Sequence, residues 1–364
     1  MISDNEQTYL DGLVEVLTRG DQYLYGERTQ SARLSVTGSK HVYDVGENIP
    51  FLTTKHVKPD LVIPELIWFM RGDTNIQFLE ENGVGIWTAN AFQNYLESTG
   101  QASNVEQYSE EWKQRKDAFA ERIRDDDGFA AEHGDLGPVY GKMWRDYPNP
   151  EGDNVDQLGS NVEALRNGEQ STRHVVNAWH PAYTDDVALP PCHAFFQFHN
   201  CGGKLDITLT QRSTDAFLGE PFNIASYSLL NKIVAADAGL EPGKLHHFHG
   251  NKHLYCGSAE RKKWYADSEN REWLRRSIQD VKADGRRSEY HALKETLESR
   301  LPDEEPAMNC SDHIPLALEQ LGREAYKPPS VEVISGKPFN EYNVDDVVVS
   351  DYDHQPFIPA RMAV

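Results

Sequence analysis

The amino-acid sequence predicts an α+β fold, because segments with apolar residues at three- and four-residue spacing occur together with segments of strand-like pattern. In chain order, Tyr9 to Leu17 has helical spacing and leads into RLSVTGSKHVYDV, Arg33 to Val45, which reads as a hairpin. LVIPELIWF from Leu61 continues into MRGDTNIQFLEENG with the spacing of one helix, and Glu65 is a carboxylate set among its apolar residues. Ala188 to Ile207 reads as two buried strands joined by a turn at Gly202-Gly203, with Cys192 opening the hairpin. Phe222 to Ala238 is helical in spacing, and the tail from Val331 to Val364 alternates as short strands between turns. Residues 101–133 and 257–318 differ in texture: rich in Glu, Lys, Arg and Asp at helical spacing, they read as surface insertions in one domain spanning 1–364.

Composition narrows the functional classes. At 38% hydrophobic and 10% aromatic over 364 residues the chain builds a sizeable core. No apolar run reaches the length of a membrane span, and the opening MISDNEQTYLDGL lacks the blocks of a signal peptide, so a soluble cytoplasmic protein is expected. A formal charge of -22 repels nucleic acid and anionic membrane, and excess surface carboxylate also suits very high salt. An anionic substrate would then need its own arginines inside a negative shell. Cys192, Cys201, Cys256 and Cys310 show no CxxC spacing, which leaves no zinc ribbon or redox pair to argue for.

Three short segments carry chemistry. In Leu189-Pro190-Pro191-Cys192-His193 two prolines fix extended backbone ahead of a cysteine, a rigid mount for a thiol. A lone cysteine is equally an ordinary small buried hydrophobe, and a nucleophilic one needs a nearby cation. Gln211-Arg212-Ser213-Thr214-Asp215, followed by FLGEPFN with Gly219 and Pro221, supplies an arginine and a hydroxyl suited to phosphate. Arg28 and Arg173 are further isolated arginines. His253 and Tyr255 share a face if the segment is extended, as hydrogen bonding to a sugar would need. His246, His247, His249 and His253 suggest a metal, but no acidic or cysteine ligand recurs at zinc spacing, and none is expected.

LPPCHAFFQF, QRSTDAFLGEPFNIASYSLL and HGNKHLY, in that order, resemble the thymidylate synthase family, as do LSVTG, FLTTKHV, ELIWFMRGDTNIQFLEENGVGIWTAN, GDLGPVYGKMWR and QLGREAYKPPSVEV. The resemblance implies a mixed β-sheet flanked by helices, with sheets packed at the interface of a homodimer. It implies reductive methylation of dUMP to dTMP, with 5,10-methylenetetrahydrofolate as carbon and hydride donor and no metal. By position, Cys192 is the nucleophile; Glu65, Tyr140, His193, Asn223 and Arg212 complete the catalytic set. Arg28, Arg212, Ser213 and the Arg173 supplied across the interface form the phosphate cage. Gln211, Asp215, Asn223, His253 and Tyr255 also face the nucleotide, with Asn223 choosing uracil. Lys55, Trp87, Asn90, Asp215, Gly219 and Val364 form the folate side.

The chain departs from the family pattern at several positions. Thr172 stands where the first of two adjacent arginines is expected, which removes a phosphate ligand unless a hydroxyl or His174 replaces it. His180 stands for Asn, Asn251 for Asp, and Gln30 and Ala32 replace glycines. Two alternatives stand beside thymidylate synthesis: a hydroxymethylase, since the residues that choose the base do not decide whether water captures the methylene carbon, and a catalytically dead nucleotide-binding paralogue, suggested by Thr172 and Asn251.

Overall fold

The computed structural model describes residues 2–24, 31–184, 187, 189–257, 259–303, 312–334 and 336–361. Helix α1 (Asp4–Arg19) is capped by the Ser3 side chain, which accepts from the Glu6 amide. It is followed by β1 (Asp21–Leu24) and β2 (Ala32–Asp44). Residues 33–45 do not fold back on themselves as a hairpin. Residues 33–44 lie in one long strand, paired on one side with the short β1 and on the other with β7 (Glu241–Tyr255). A partner on both edges removes any reason to turn, and Gly38 with φ +72° merely drops out of the β7 ladder.

The helix expected from Leu61 onward is two helices, α2 (Pro59–Arg71) and α3 (Gln77–Glu81). Gly72 ends α2 in the left-handed region, and a Cβ there would meet Arg145 Cβ at 2.8 Å. Next come α4 (Thr88–Ser98), α5 (Glu110–Asp125), α6 (Asp127–His133), α7 (Tyr140–Arg145) and α8 (Gln157–Arg166). The charged α5 is one-sided: Trp112, Phe119 and Ile123 are buried, with Trp112 edge-on to Phe92 of α4 at 5.3 Å.

The central sheet contains β3 (Val175–Asn177), β4 (His193–Cys201), β5 (Lys204–Gln211) and β6 (Thr214–Asp215), in the order β1-β2-β7-β5-β4-β3 with β6 against β7. Gly202 and Gly203, both at positive φ, make the two-residue turn between β4 and β5. The return from β5 to its parallel neighbour β7 runs through α9 (Gly219–Ala238), so the sheet is mixed. That crossover brings the first turns of α9 over the end of β5, and the site assembles there.

Helices α10 (Ala259–Ala266), α11 (Ser268–Asp284) and α12 (Ser288–Glu298) cover the second charged segment. α13 (His313–Gly322) is buried through Ile314, Ala317, Leu318 and Leu321. A separate ribbon of β8 (Ser330–Val333) and β9 (Val347–Ser350) follows. Among the described residues no helix is long and apolar enough to cross a membrane.

Candidate active site

Cys192 is the residue immediately before β4, and it faces the far end of β5 across the open mouth of the hairpin. Its carbonyl accepts from the Arg212 amide at 2.8 Å, and its own amide donates to the Tyr140 hydroxyl at 2.7 Å. The Arg212 guanidinium donates from Nε to Pro191 O at 2.8 Å and from Nη2 to Pro190 O at 2.7 Å. The two prolines thus hold the mount extended, and the arginine ties both their carbonyls. Arg212 is exposed, and its guanidinium lies over the Trp179 ring at 5.2 Å.

The wall behind the cysteine is polar and closely bonded. His193 is buried, with its ring stacked on Tyr140 at 4.3 Å. Its Nε2 meets Asn223 Nδ2 at 3.1 Å and its Nδ1 meets the Tyr227 hydroxyl at 3.2 Å. Burial first, and the Arg212 charge second, push its pKa down to about 3, so the imidazole is neutral across the physiological range. Asn223 Oδ1 accepts from Gln211 Nε2 at 3.0 Å, and Gln211 Oε1 lies 2.9 Å from His247 Nε2. Asn223 and Tyr227 are one α-helical turn apart on α9, which is how one helix face grips both ends of the histidine.

Glu65 on α2 accepts from the Trp87 indole N–H at 2.8 Å. Burial drives its pKa up to about 7, and the Trp87 bond opposes this only partly. Trp87 lies edge-on to Tyr140 at 6.1 Å, so the carboxyl and the cysteine mount belong to one aromatic-walled cluster. Asn90 is half-buried in the first turn of α4.

On the other side of Asn223, Gly219 opens α9, and a Cβ there would lie 3.7 Å from Asp215 Cβ and 3.8 Å from Asn223 Oδ1. Asp215 Oδ1 accepts from the amides of Phe217 and Leu218 at 2.9 and 3.0 Å, while Oδ2 makes no hydrogen bond among the described residues. Lys55 is buried beneath this turn with its ammonium donating to Phe217 O and stacked on the Phe217 ring, and burial lowers its pKa to about 7. It underpins the Asp215 turn through Phe217.

His253 and Tyr255 lie together at the end of β7, rings edge-on at 5.2 Å, with His253 paired in register with Asp215 of β6. His253 Nδ1 meets Asn251 Oδ1 at 3.1 Å, and its Nε2 has no hydrogen-bond partner among the described residues. Ser213 is half-buried beside Arg212, and its carbonyl accepts from Gln211 Nε2 at 3.0 Å. Arg173 and Thr172 are exposed ahead of β3, where the Thr172 carbonyl accepts from Gln197 Nε2 of β4 at 2.6 Å. His174, considered as a substitute phosphate ligand, is buried and lies 3.3 Å from Glu169 O. Arg28 and Val364 lie outside the described residues.

Several neighbours escaped the sequence reading. Tyr227, Trp179 and the backbone carbonyls of Pro190 and Pro191 show no pattern of their own. Below His247 lies a further buried cluster: Lys252 Nζ is 2.7 Å from Glu220 Oε2 and 3.4 Å from His41 Nδ1, and His41 Nδ1 lies 3.2 Å from His249 Nε2. His41, Glu220 and His249 place three ligand-type atoms close enough for a metal ion. Spacing along one strand could not reveal this, since His41 comes from β2 and Glu220 from α9. The Lys252 ammonium reaches two of the same three groups and supplies a positive charge there.

A free cysteine, a buried neutral histidine, a raised carboxyl and an anchored amide gathered on a mixed sheet form the kind of polar cluster that an enzyme site presents. A family model described as thymidylate synthase matches residues 7–364. Thymidylate synthases of Listeria monocytogenes serotypes 4b and 4a are each 39% identical over 98% of this chain and 99% of their own. That of serovar 1/2a is 39% identical over 70% of this chain and 84% of its own. The chain belongs to the thymidylate synthase family.

Proposed function

We propose that the protein methylates dUMP reductively to dTMP, consuming 5,10-methylenetetrahydrofolate and releasing dihydrofolate. The observation that carries this is the anchored Asn223 amide, bonded to His193, the residue adjoining Cys192, in a chain of this family. After its bonds to Gln211 and His193, Asn223 retains one N–H and one lone pair. Those suit O4 and N3–H of uracil.

In this reading the Cys192 thiolate adds to C6 of the uracil ring, and C5 gains the electron density of an enolate. Arg212 lends its charge to the phosphate and to the anionic sulfur, with Ser213, Arg28 and the partner's arginine completing the cage. His253 and Tyr255 take the ribose hydroxyl, which gives His253 Nε2 the partner it lacks. Asp215 Oδ2 and the Trp87 ring fit the pterin, an edge of N–H donors on an aromatic plate. Bound there, the folate supplies the one-carbon unit and the hydride. Glu65, near neutrality in pKa, holds and moves the proton exchanged with O4 and with the ordered solvent, and His193 and Tyr140 orient that solvent. C5 bonds to the one-carbon unit, loss of the C5 proton and of tetrahydrofolate leaves an exocyclic methylene, and hydride added to that carbon makes the methyl group as Cys192 leaves C6 and the C5=C6 bond re-forms.

The same reading makes the protein a cytoplasmic homodimer. The sheet face opposite α9 leaves Phe195, Phe248 and Val175 exposed, an apolar area suited to a second copy. Arg173 beside β3 would then reach the partner's site. An absorbance assay with dUMP and the folate tests the proposal: dihydrofolate must form one-for-one with dTMP. Hydroxymethyl-dUMP without dihydrofolate, or no covalent capture of Cys192 by 5-fluoro-dUMP, overturns it.

A further inference from the structure

Asn223 touches two groups whose hydrogen-bonding sense is fixed differently. On one side is His193, backed by the Tyr227 hydroxyl at 3.2 Å. An imidazole moves its proton between ring nitrogens and a hydroxyl donates or accepts, so this side follows whichever way the amide points. On the other side is Gln211, whose Nε2 reaches both Asn223 Oδ1 and the Ser213 carbonyl at 3.0 Å. A backbone carbonyl only accepts, so the Gln211 nitrogen must face it, and Oε1 must point the opposite way. There it meets His247 Nε2 at 2.9 Å, and since Oε1 accepts only, Nε2 carries the proton.

His247 is completely buried, and its Nδ1 has no hydrogen-bond partner among the described residues. Its ring lies 3.9 Å from that of His249, which in turn adjoins His41 and the Glu220–Lys252 pair. Burial first and the Lys252 charge second lower its pKa, so it is a neutral imidazole with one donor to give.

We propose that His247 is a positioning residue for base selection: its Nε2–H fixes Gln211, Gln211 fixes Asn223, and the amide is presented in the sense that reads uracil. The proposal rests on Asn223 as the group facing the base. Cytosine presents an amino donor where uracil has O4 and a bare N3 where uracil has N3–H, so it needs the amide reversed. A reversed Asn223 would turn its Nδ2 onto the Gln211 nitrogen, donor against donor. Without the His247 donor, Gln211 Oε1 is a buried acceptor with no partner, so the glutamine, held by the Ser213 carbonyl alone, swings its oxygen toward Asn223 to regain a donor, and Asn223 turns over with His193 following by tautomer exchange.

Titrations of the full-length protein with dUMP and with dCMP test this. His247→Phe lowers the dUMP-to-dCMP affinity ratio about tenfold or more, the equivalent of one hydrogen bond. His247→Gln, whose amide N–H restores the donor, keeps most of the ratio, and Asn223→Ala loses it. A ratio unchanged in His247→Phe but lost in Asn223→Ala sinks the role of His247 and leaves the base reading standing. An unchanged ratio in Asn223→Ala sinks the base reading itself. Nitrogen-15 spectra of the wild type give a readout that needs no folded variant: His247 shows a protonated Nε2, and a proton on Nδ1 overturns the proposal.

Discussion

The Arg212 guanidinium holds the Pro191 carbonyl at 2.8 Å while its backbone amide holds the Cys192 carbonyl at the same distance. One residue therefore fixes the thiol's mount from both sides, using a planar fork that lysine cannot copy. Arg212→Lys keeps the charge and loses the clamp. The expected result is a fall in kcat/KM for dUMP of about 100-fold, with slower iodoacetamide labelling of Cys192 at neutral pH. Labelling of the exposed Cys201 serves as the internal control, and a parallel change at Cys201 would point to general disturbance.

Glu65 gives a signed pH prediction. Its pKa is raised from 4.5 to about 7 by burial, and the Trp87 N–H bond to the carboxylate holds it from rising further. The protonated form is favoured in the fold, so its relative stabilisation is full below pH 4.5 and is lost as pH rises through about 7. Activity should show an inflection near that value. Trp87→Phe removes the bond that favours the anion and moves the inflection to higher pH, while Glu65→Gln abolishes it and lowers kcat by roughly 10²–10⁴. A pH–rate profile of kcat with an unmoved inflection in Trp87→Phe would contradict the assignment.

What was legible in the sequence follows from how local each feature is. Cys192, Arg212 and Asn223 sit in contiguous segments whose order identifies the family, and the Gly202-Gly203 turn is a two-residue signal. Long-range facts were hidden. That Arg33 to Asp44 is one strand depends on β7, 200 or more residues away in sequence, whereas the break at Gly72 lies in that glycine's own left-handed conformation. Lys55 enters the expected site through the resemblance alone, because its contact with Phe217 comes from across the fold and leaves no local signal. His247 read as one of four histidines; only the meeting of β5 and β7 aligns it with Gln211.

Arg173 allows a test of assembly. It is exposed in the protomer, and the proposed site needs it from a second copy. Cys192→Ala and Arg173→Ala should each be inactive or nearly so alone. Mixed and allowed to exchange subunits, they form heterodimers with one site that has an intact cysteine and an intact arginine, and up to about a quarter of wild-type activity should return, since half the dimers then carry one good site. Phe248→Asp on the exposed sheet face should block the recovery and yield monomers by light scattering. Recovery that survives Phe248→Asp would place the interface elsewhere.

The buried Glu220–Lys252 pair should control stability more than any surface charge. Both side chains are fully buried, with Nζ and Oε2 2.7 Å apart, and the Tyr43 hydroxyl adds a bond to Oε1 at 3.3 Å. Removing one partner strands the other in an apolar interior, so Lys252→Met should destabilise by about 3–5 kcal/mol in urea unfolding. Adding Glu220→Gln removes the stranded charge and should recover much of that loss. Space for the ammonium is left by Gly12 on α1, where any Cβ would overlap Lys252 Nζ and crowd His41. Gly12→Ala, ordinarily favourable in a helix by up to about 1 kcal/mol, should here destabilise, and in the Lys252→Met background the penalty should shrink because methionine can bend away. Equal penalties in both backgrounds would mean that Gly12 serves His41 or the helix itself.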